Sequence, residues 1–359
     1  MRAAPAAARA LLERVFACEA LAREYPLVFD ARFDGATVEL EEEGAPRAAC
    51  TILVREFVVG GERLRGGLIG SVATDPAWRG RGLATRLLAR AEEELRARGC
   101  LFALLWATDP RFYLARGYAP LGGERDFLLV SELTASLPEP SGVRALRPED
   151  VPVLHRLHAR HPSRVERSLE EFRALLDVPG MLTLVRERRA HPAHPPLPVA
   201  YACLGRGRDL ADTLHDWAGA PEDVLALVRA HLERRFPEGA TGALFLMAPL
   251  DAHELAYRLV RLGAVTRPGI LGLGKLLDLP AASALLGAAL GSPAAVAFDG
   301  AHTRLRGPTA AADLEPETLQ ALLFGAPDVA EEARGLLARL GFAPRALPLE
   351  PFAFGLDSI

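Results

Sequence analysis

The chain has 359 residues, of which 50% are hydrophobic and 25% charged, and its formal net charge is −4. This length favours two or three domains over one. With a mean hydropathy of +0.12, the composition is typical of a soluble globular protein and excludes a disordered chain or an integral membrane protein. Because the chain has no basic excess, we expect no nucleic-acid partner.

No segment predicts a membrane span or a secretory signal. The longest uncharged stretch, residues 281–298, is rich in Ala and Gly and too weakly apolar to cross a bilayer. Charged residues interrupt the Ala-rich start of the chain, so we expect a cytoplasmic protein without a membrane partner. The four cysteines, Cys18, Cys50, Cys100 and Cys203, have no C-x-x-C spacing, which indicates buried free thiols.

The first third of the chain alternates predicted helices and strands. Residues 83–98 carry apolar side chains at helical spacing before Gly99, whereas residues 100–107 form a continuous apolar run typical of a strand buried on both faces. The predicted elements are, in chain order, a helix at 5–24, strands at 36–41, 48–57 and 65–73, a helix at 83–98, a strand within 100–107 and a short helix at 111–116.

A second unit begins near Val143 and repeats this order. It contains predicted hairpin strands at 181–188 and 198–205, then the segment TLHDWAG, a helix at 222–235, a strand at 243–247 and a helix at 252–262. We interpret this order as a diverged internal duplication. From about residue 276 the chain differs from both units, with helices at 316–324 and 329–340 and an apolar, proline-containing tail.

One segment between a strand and a helix has the composition of an anion site. The run Arg79-Gly80-Arg81-Gly82 leads directly into the helix that begins at Leu83. Backbone N–H groups at a helix N-terminus bind anions, and glycine lets a ligand approach them closely. A P-loop would need Gly-Lys-Ser/Thr, and a dinucleotide-binding turn would need a third glycine where Thr85 stands, so neither motif fits.

The same segment resembles the signature of the GNAT acyltransferases. That signature, R/Q-x-x-G-x-G/A between a strand and a helix, is similar to this chain at Arg79, Gly82 and Ala84. The sequence FYLARGY resembles the last conserved helix of the family, with Tyr113 and Tyr118 at the aromatic positions. The resemblance implies an α/β (α+β) fold with tandem GNAT-like mixed sheets flanked by helices, plus a small α+β C-terminal domain.

The resemblance also implies the donor site. Pantetheine would bind the main chain of a splayed strand, and the pyrophosphate of acetyl-CoA would bind the following loop and helix start. The residues implied for the strand are Val72, Ala73 and Thr74, and those for the loop are Arg79, Gly80, Arg81, Gly82, Leu83, Ala84 and Thr85. Tyr113 would protonate the departing thiolate, unless it only packs its helix against the sheet.

The overall order resembles the enhanced intracellular survival (Eis) acetyltransferases. It implies a catalytic domain at 1–140, a degenerate GNAT-like domain at 141–275 and a sterol-carrier-like domain at 276–359. In that family the terminal carboxylate is the general base, which here would be Ile359, although a tail that merely packs is an alternative. Nearby carboxylates are further alternatives, namely Asp109, Glu124 and Asp126.

The second unit departs from the family pattern. Its segment DWAGAPEDV lacks the R/Q-x-x-G-x-G/A signature, and Glu222 and Asp223 would repel a pyrophosphate. Aligning Gly263 with Gly117 places Leu259 opposite Tyr113, so we expect this copy to be inactive.

Histidines recur at His155, His158 and His161 and at His191 and His194, but without the ligand spacing of a metal site, so we expect no metal.

These features predict an acetyl-CoA-dependent N-acetyltransferase that transfers the acetyl group directly to an amine. The alternative is a non-catalytic CoA- or ligand-binding sensor built on the same scaffold. The sequence selects neither the acyl length nor the acceptor, which can be an aminoglycoside, a polyamine, another small amine or a peptide amine. The Eis resemblance also suggests a homo-oligomer.

Overall fold

The computed structural model describes residues 6–189, 191, 193–300, 302–343 and 347–359. It divides the chain into two compact units, each built from segments that are distant in sequence. Unit 1 comprises Met1–Gly123, Ile270–Phe352 and Ile359, and unit 2 comprises Glu124–Gly269 and Ala353–Ser358. The domain boundaries at 140/141 and 275/276 stay a prediction.

Helices and strands alternate along the chain. The helices are α1 (Ala6–Phe16), α2 (Leu21–Glu24), α3 (Pro26–Phe29), α4 (Leu83–Ala97), α5 (Arg111–Leu114), α6 (Val151–His158), α7 (Leu169–Leu176), α8 (Pro221–Arg235), α9 (His253–Arg261), α10 (Leu279–Ala289), α11 (Pro316–Phe324) and α12 (Pro327–Arg339). The strands are β1 (Ala36–Glu42), β2 (Ala45–Val59), β3 (Glu62–Thr74), β4 (Phe102–Leu105), β5 (Ala119–Leu121), β6 (Glu124–Val130), β7 (Val143–Ala145), β8 (Arg164–Val165), β9 (Leu182–Arg188), β10 (Leu197–Leu204), β11 (Thr213–Gly219), β12 (Ala243–Pro249), β13 (Val265–Gly269), β14 (Gly272–Leu276), β15 (Val296–Phe298), β16 (Thr303–Arg306) and β17 (Ala311–Leu314).

Unit 1 contains a mixed sheet of strand order β1-β2-β3-β4-β14-β5. Strands β3 and β4 are parallel and connected through α4, whose apolar face packs on β1, β2 and β3. The residues of that face are fully buried, as their helical spacing predicts: Leu83, Leu87, Leu88, Ala91 and Leu95. Gln320 of α11 secures β14, because its Oε1 accepts the Leu276 N–H at 3.2 Å and its Nε2 donates to the Gly274 carbonyl at 3.0 Å.

Unit 2 repeats this plan with the sheet order β13-β6-β12-β11-β10-β9-β7. Its parallel pair is β11 and β12, and α8 connects them as α4 connects β3 and β4. Helix α8 is buried over most of its length because Val224, Leu225, Leu227 and Val228 all face the core. The predicted fold class, with mixed sheets flanked by helices, is therefore confirmed.

The last part of unit 1 is a small α+β element. An antiparallel three-stranded sheet, β15-β16-β17, packs with α10 and α11. The uncharged stretch at 281–298 forms most of α10 and a short turn, and none of the helices among the described residues is long and apolar enough to cross a membrane.

The predicted helix at 5–24 is wrong in length, since the chain turns at Ala17 with a φ of +50° and Pro5 lies outside the described residues.

Candidate functional site

Strands β3 and β4 part within unit 1. Their parallel register runs over Gly66↔Phe102, Gly67↔Ala103 and Leu68↔Leu104, and β3 then continues alone along that side to Thr74. On its other side, β3 remains paired with β2 as far as Thr74. Val72, Ala73 and Thr74 therefore lie in the stretch where β3 has separated from β4, as expected for a splayed strand. Their main chain lies beyond the last pair of the described β3–β4 register.

A bulge accompanies this separation. The β2–β3 register shifts between Ala49 and Thr51, and Ser71 adopts a left-handed φ of +49°. A bulge twists a strand and turns main-chain groups to new directions. The strand therefore changes direction immediately before Val72, Ala73 and Thr74.

The loop after β3 depends on two glycines with left-handed backbones. Asp75 begins the loop by accepting the Ala77 N–H at 3.1 Å, which caps a short 3-10 turn. Gly80 and Gly82 then adopt φ values of +77° and +75°, a region that residues with a side chain rarely enter. Among the described residues, no heavy atom other than those of the glycine and its two chain neighbours lies within 4 Å of a Cβ placed at either position. These glycines therefore serve backbone geometry and leave open space beside the loop.

Helix α4 begins at this loop with unsatisfied N–H groups. Gly82 is its N-cap, no side chain of the described residues caps it, and Leu83, Ala84 and Thr85 supply no acid to its first turn. The guanidiniums of Arg79 and Arg81 are exposed, and that of Arg81 stacks over Trp78 at 4.4 Å. A 15-residue helix with free N–H groups and a positive dipole end attracts an anion.

Arg116 adds a positive charge at this helix start. Its Nε and Nη2 donate to the Thr85 Oγ1 at 3.1 and 2.7 Å, while its guanidinium lies 3.7 Å over the Phe112 ring. Sequence analysis did not identify Arg116, because only the aromatic and glycine positions of FYLARGY matched the resemblance. Its role depends on a contact with a residue 31 positions away.

Tyr113 lies on α5 and packs against the core of the sheet. Its ring makes edge contacts with Phe112 at 5.0 Å and Tyr118 at 5.9 Å. Burial raises the pKa of the Tyr113 hydroxyl, and nearby Cys50 raises it further. The phenol is therefore protonated at neutral pH and has a proton that it can donate.

The main-chain carbonyl of Ile359 lies against β3. A Cβ built at Gly70 would overlap the main-chain carbon and oxygen of Ile359 and would lie 2.8 Å from its Cγ1. Glycine inside a strand marks a site where another part of the chain approaches the backbone closely, so Gly70 was a signal that sequence analysis missed. The structure brings Ile359 to within two residues of Val72 along β3.

The three carboxylates considered as alternative bases differ in suitability. Asp109 is exposed, and hydrogen bonds from Arg111 lower its pKa to about 2, which makes it a poor proton acceptor. Glu124 and Asp126 belong to β6 of unit 2. Burial, followed by the charge of Asp126, raises the pKa of Glu124 to about 8, and burial also raises the pKa of Asp126.

The histidines have structural contacts. His155, His158 and His161 each place Nε2 near a main-chain carbonyl, those of Arg167, Val165 and Trp217 respectively. Among the described residues, no group of three or more His, Cys, Asp or Glu side chains could hold a metal ion. Cys18, Cys50, Cys100 and Cys203 are free, and all except Cys18 are buried.

Comparisons with known proteins agree with this geometry. Residues 7–121 match the family model described as an acetyltransferase (GNAT) domain, whereas no curated protein matches the chain significantly. This match confirms the predicted resemblance of residues 7–121 to the GNAT acyltransferases. GNAT domains generally use acetyl-CoA as the acetyl donor.

The fold of the whole chain is shared with solved structures. One is a GCN5-related N-acetyltransferase from Anabaena variabilis, with 13% identity, 98% of this chain and 96% of that chain covered, and a TM-score of 0.62. Another is a GCN5-related N-acetyltransferase from Kribbella flavida, with 16% identity, coverages of 89% and 88%, and a TM-score of 0.58. A third is Eis1 from Mycobacterium abscessus, with 16% identity, coverages of 98% and 96%, and a TM-score of 0.56.

Proposed function

Residues 7–121 form an N-acetyltransferase domain of the GNAT superfamily, and from this premise we propose that the chain transfers an acetyl group from acetyl-CoA directly to an amine. The observation that carries this proposal is the parting of β3 and β4 beside an uncapped helix N-terminus. Both features belong to unit 1, and together they present main-chain groups for a long, phosphate-bearing donor.

The donor would bind along two surfaces of unit 1. The main chain of Val72, Ala73 and Thr74 would hydrogen-bond the pantetheine arm. The pyrophosphate would bind the N–H groups from Gly80 to Thr85, where the left-handed glycines leave open space. The exposed side chains of Arg79 and Arg81 and the half-buried side chain of Arg116 would add charge attraction there.

The transfer would proceed by direct attack. The amine nitrogen forms a bond to the thioester carbon, and main-chain N–H groups of β3 stabilise the oxyanion. The carbon–sulfur bond then breaks, and the CoA thiolate takes the hydroxyl proton of Tyr113. The nitrogen gives its surplus proton to the Ile359 carboxylate, which leaves an N-acetylated amine and free CoA. Tyr113 and Ile359 return to their starting protonation states by exchange with solvent.

The proximity of Ile359 to Gly70 supports its role as proton acceptor. An α-carboxylate has an ordinary pKa of about 3.5, so it is ionised throughout the neutral range and becomes a stronger base where water is displaced. Extending the chain by one glycine after Ile359 should abolish turnover while leaving acetyl-CoA binding intact. The intact mass of the wild-type protein is measured alongside, to establish that Ile359 carries the free carboxylate.

Unit 2 would not bind the donor. The first turn of α8 contains Glu222 and Asp223, whose charges oppose an anion at this helix start. Asp223 is buried and held by Arg186 at 2.9 Å and Arg188 at 2.6 Å, so the helix N-terminus already has a carboxylate beside it.

Calorimetric titration with acetyl-CoA tests the donor site. Ala84→Glu puts a negative charge in the first turn of α4, where it favours the helix dipole and opposes a pyrophosphate. Ala89→Glu is the matched control, because it is the same substitution on an exposed position of the same helix. We expect one-site binding by wild type, similar binding by Ala89→Glu and a loss of about tenfold or more in Ala84→Glu. Equal binding by all three proteins would refute the site.

Release of free CoA on addition of amines tests the reaction. The panel comprises an aminoglycoside, a polyamine, a small primary amine and a peptide with a free amine. Amine-dependent release supports acetyl transfer. Tight acetyl-CoA binding without release from any amine would contradict the enzyme and favour a CoA-binding sensor.

A further inference from the structure

Trp106 directly follows β4, and neither the donor site nor the proton transfers use it. Its side chain is a large apolar ring, yet the residue is 37% exposed. The guanidiniums of Arg47 and Arg81 stack on the ring of Trp78, at 4.8 and 4.4 Å from its centroid. Among the residues that the structure describes, Trp106 has no such cation or ring contact. The fold therefore leaves much of its indole uncovered.

The strand register places Trp106 where β3 and β4 part. The last pair of that register is Leu68↔Leu104. Two residues further along the chain are Gly70 on β3 and Trp106 just after β4. Because the two strands are parallel, both residues lie at the end of the pair where the strands separate. Trp106 therefore borders the opening to which the proposed function brings the donor thioester.

The side chain of Trp106 lies on the sheet face opposite α4. Ala103 and Leu105 belong to the core that packs on α4, and side chains alternate between the two faces along a strand. A Cβ at Gly272 would lie 2.9 Å from the Leu104 Cδ1 and 3.5 Å from the Trp106 Nε1. Leu104 and Trp106 therefore share the face that points away from α4.

Ile359 lies on this same face. A Cβ at Gly67 would meet Leu95 of α4, so Gly70, three residues further along the strand, presents the opposite face. Ile359 approaches Gly70 from that side, since a Cβ there would lie 2.8 Å from its Cγ1. Trp106 and Ile359 therefore flank one opening from its two strands, and both belong to unit 1.

The side chains that flank this opening are apolar. Besides Trp106 and Ile359, Ile270 is 41% exposed and lies two residues before Gly272, the first residue of β14. Strand β14 is antiparallel to β4, so its start lies at the carboxyl end of β4, where Trp106 is. Exposed apolar side chains grouped at one place are typical of a ligand site. The opening therefore has the chemistry to receive an apolar group.

We propose that Trp106 determines acceptor specificity, its indole binding the aromatic group of an arylalkyl primary amine. The inference rests on the proposed function, which places the thioester at this opening. Contact between aromatic rings adds to the gain from burying their apolar surface. A multiply charged amine would find no partner for its further ammonium groups on these apolar side chains, and leaving such groups unpaired is unfavourable.

The experiment compares two amines that differ by one phenyl ring, 2-phenylethylamine and ethylamine. We expect wild type to prefer 2-phenylethylamine in kcat/KM. Trp106→Ala should lower that value about tenfold or more and leave the value for ethylamine within about threefold. Trp106→Phe should recover much of the loss because it retains a ring. Tyr257→Ala is the matched control, since it removes a 65% exposed aromatic ring from unit 2 and should change neither value.

Acetyl-CoA affinity and thermal midpoint are measured for every variant, and both should remain at their wild-type values. An equal loss for the two amines in Trp106→Ala would indicate a packing role and overturn the proposal. A wild type that prefers ethylamine or a polyamine would overturn it as well.

A binding measurement separates this inference from the proposed function. Calorimetric titration of the CoA-loaded protein with 2-phenylethylamine needs no turnover, and binding should weaken about tenfold or more in Trp106→Ala. If wild type binds this amine through Trp106 without acetylating it, the proposed function fails and the Trp106 site stands. If the CoA-loaded wild type does not bind 2-phenylethylamine, the inference fails whatever the turnover.

Discussion

Replacing Gly70 by alanine perturbs the placement of the Ile359 carboxyl. The added Cβ would overlap the carboxyl carbon and oxygen, which are the nearest heavy atoms to that position. Carbon atoms in favourable contact lie about 3.5–4.0 Å apart, so the carboxyl must retreat by roughly 1 Å.

The expected effect is large on rate and small on stability. A general base contributes about 10²–10⁴-fold to a proton transfer, and a retreat of about 1 Å forfeits roughly a hundredfold of it. Alanine in a strand interior is favoured over glycine by about 0.5–1 kcal/mol, and the atoms that must yield belong to the last residue. The thermal midpoint should therefore change by only a few degrees.

The assay compares kcat, acetyl-CoA affinity and thermal midpoint in three variants. Ile359→Ala is the control that shortens the side chain and keeps the carboxyl, and it should remain within about threefold of wild-type kcat. Gly335→Ala in α12 is the control for the substitution itself, because its Cβ would meet only ordinary contacts. Gly70→Ala with wild-type kcat would refute the assignment of Ile359 as proton acceptor.

Three further predictions concern other parts of the molecule. Tyr113→Phe should lower kcat by about 10²-fold with unchanged acetyl-CoA affinity in calorimetry, and an equal loss of affinity would indicate a packing role. Arg116→Gln should weaken acetyl-CoA binding roughly threefold to tenfold at low salt and less at high salt, whereas salt-independent weakening would contradict a charge effect. Burial raises the folded-state pKa of Glu124 to about 8, so the folded state takes up a proton and wild-type stability should decline from about pH 5 to pH 8, by up to about 1.4 kcal/mol per pH unit. Glu124→Gln should remove this decline in thermal unfolding, and parallel pH curves for the two proteins would refute it.

Local sequence patterns predicted much of the secondary structure. The helix predicted at 83–98 is α4, Leu83–Ala97, and the strand predicted at 65–73 lies inside β3, Glu62–Thr74. Apolar spacing and a terminal glycine determine such elements through contacts among near neighbours. The glycine loop was likewise predictable, since glycine is the residue that adopts positive φ without strain, as Gly80 and Gly82 do.

Short strands with distant partners were not predictable in this way. Sequence analysis missed β5, β6, β13, β14 and the three-stranded sheet of β15, β16 and β17. Strand β14 has only five residues and two glycines, and it is stabilised by pairing with β4 and β5, far earlier in the chain. Its strand character comes from its partners and from Gln320, not from its own periodicity.

The candidate site likewise has a part that was predictable from local sequence and a part that depends on residues distant along the chain. The sequence alone determined the glycine loop, the start of α4 and Tyr113, because one continuous segment contains the groups and their local geometry. Only the tertiary structure brought Arg116 to Thr85, Ile359 to Gly70 and Trp106 to Gly272. Backbone sterics and helix caps act between neighbours in sequence, whereas buried ion pairs and close approaches depend on where the completed fold places residues that are distant along the chain.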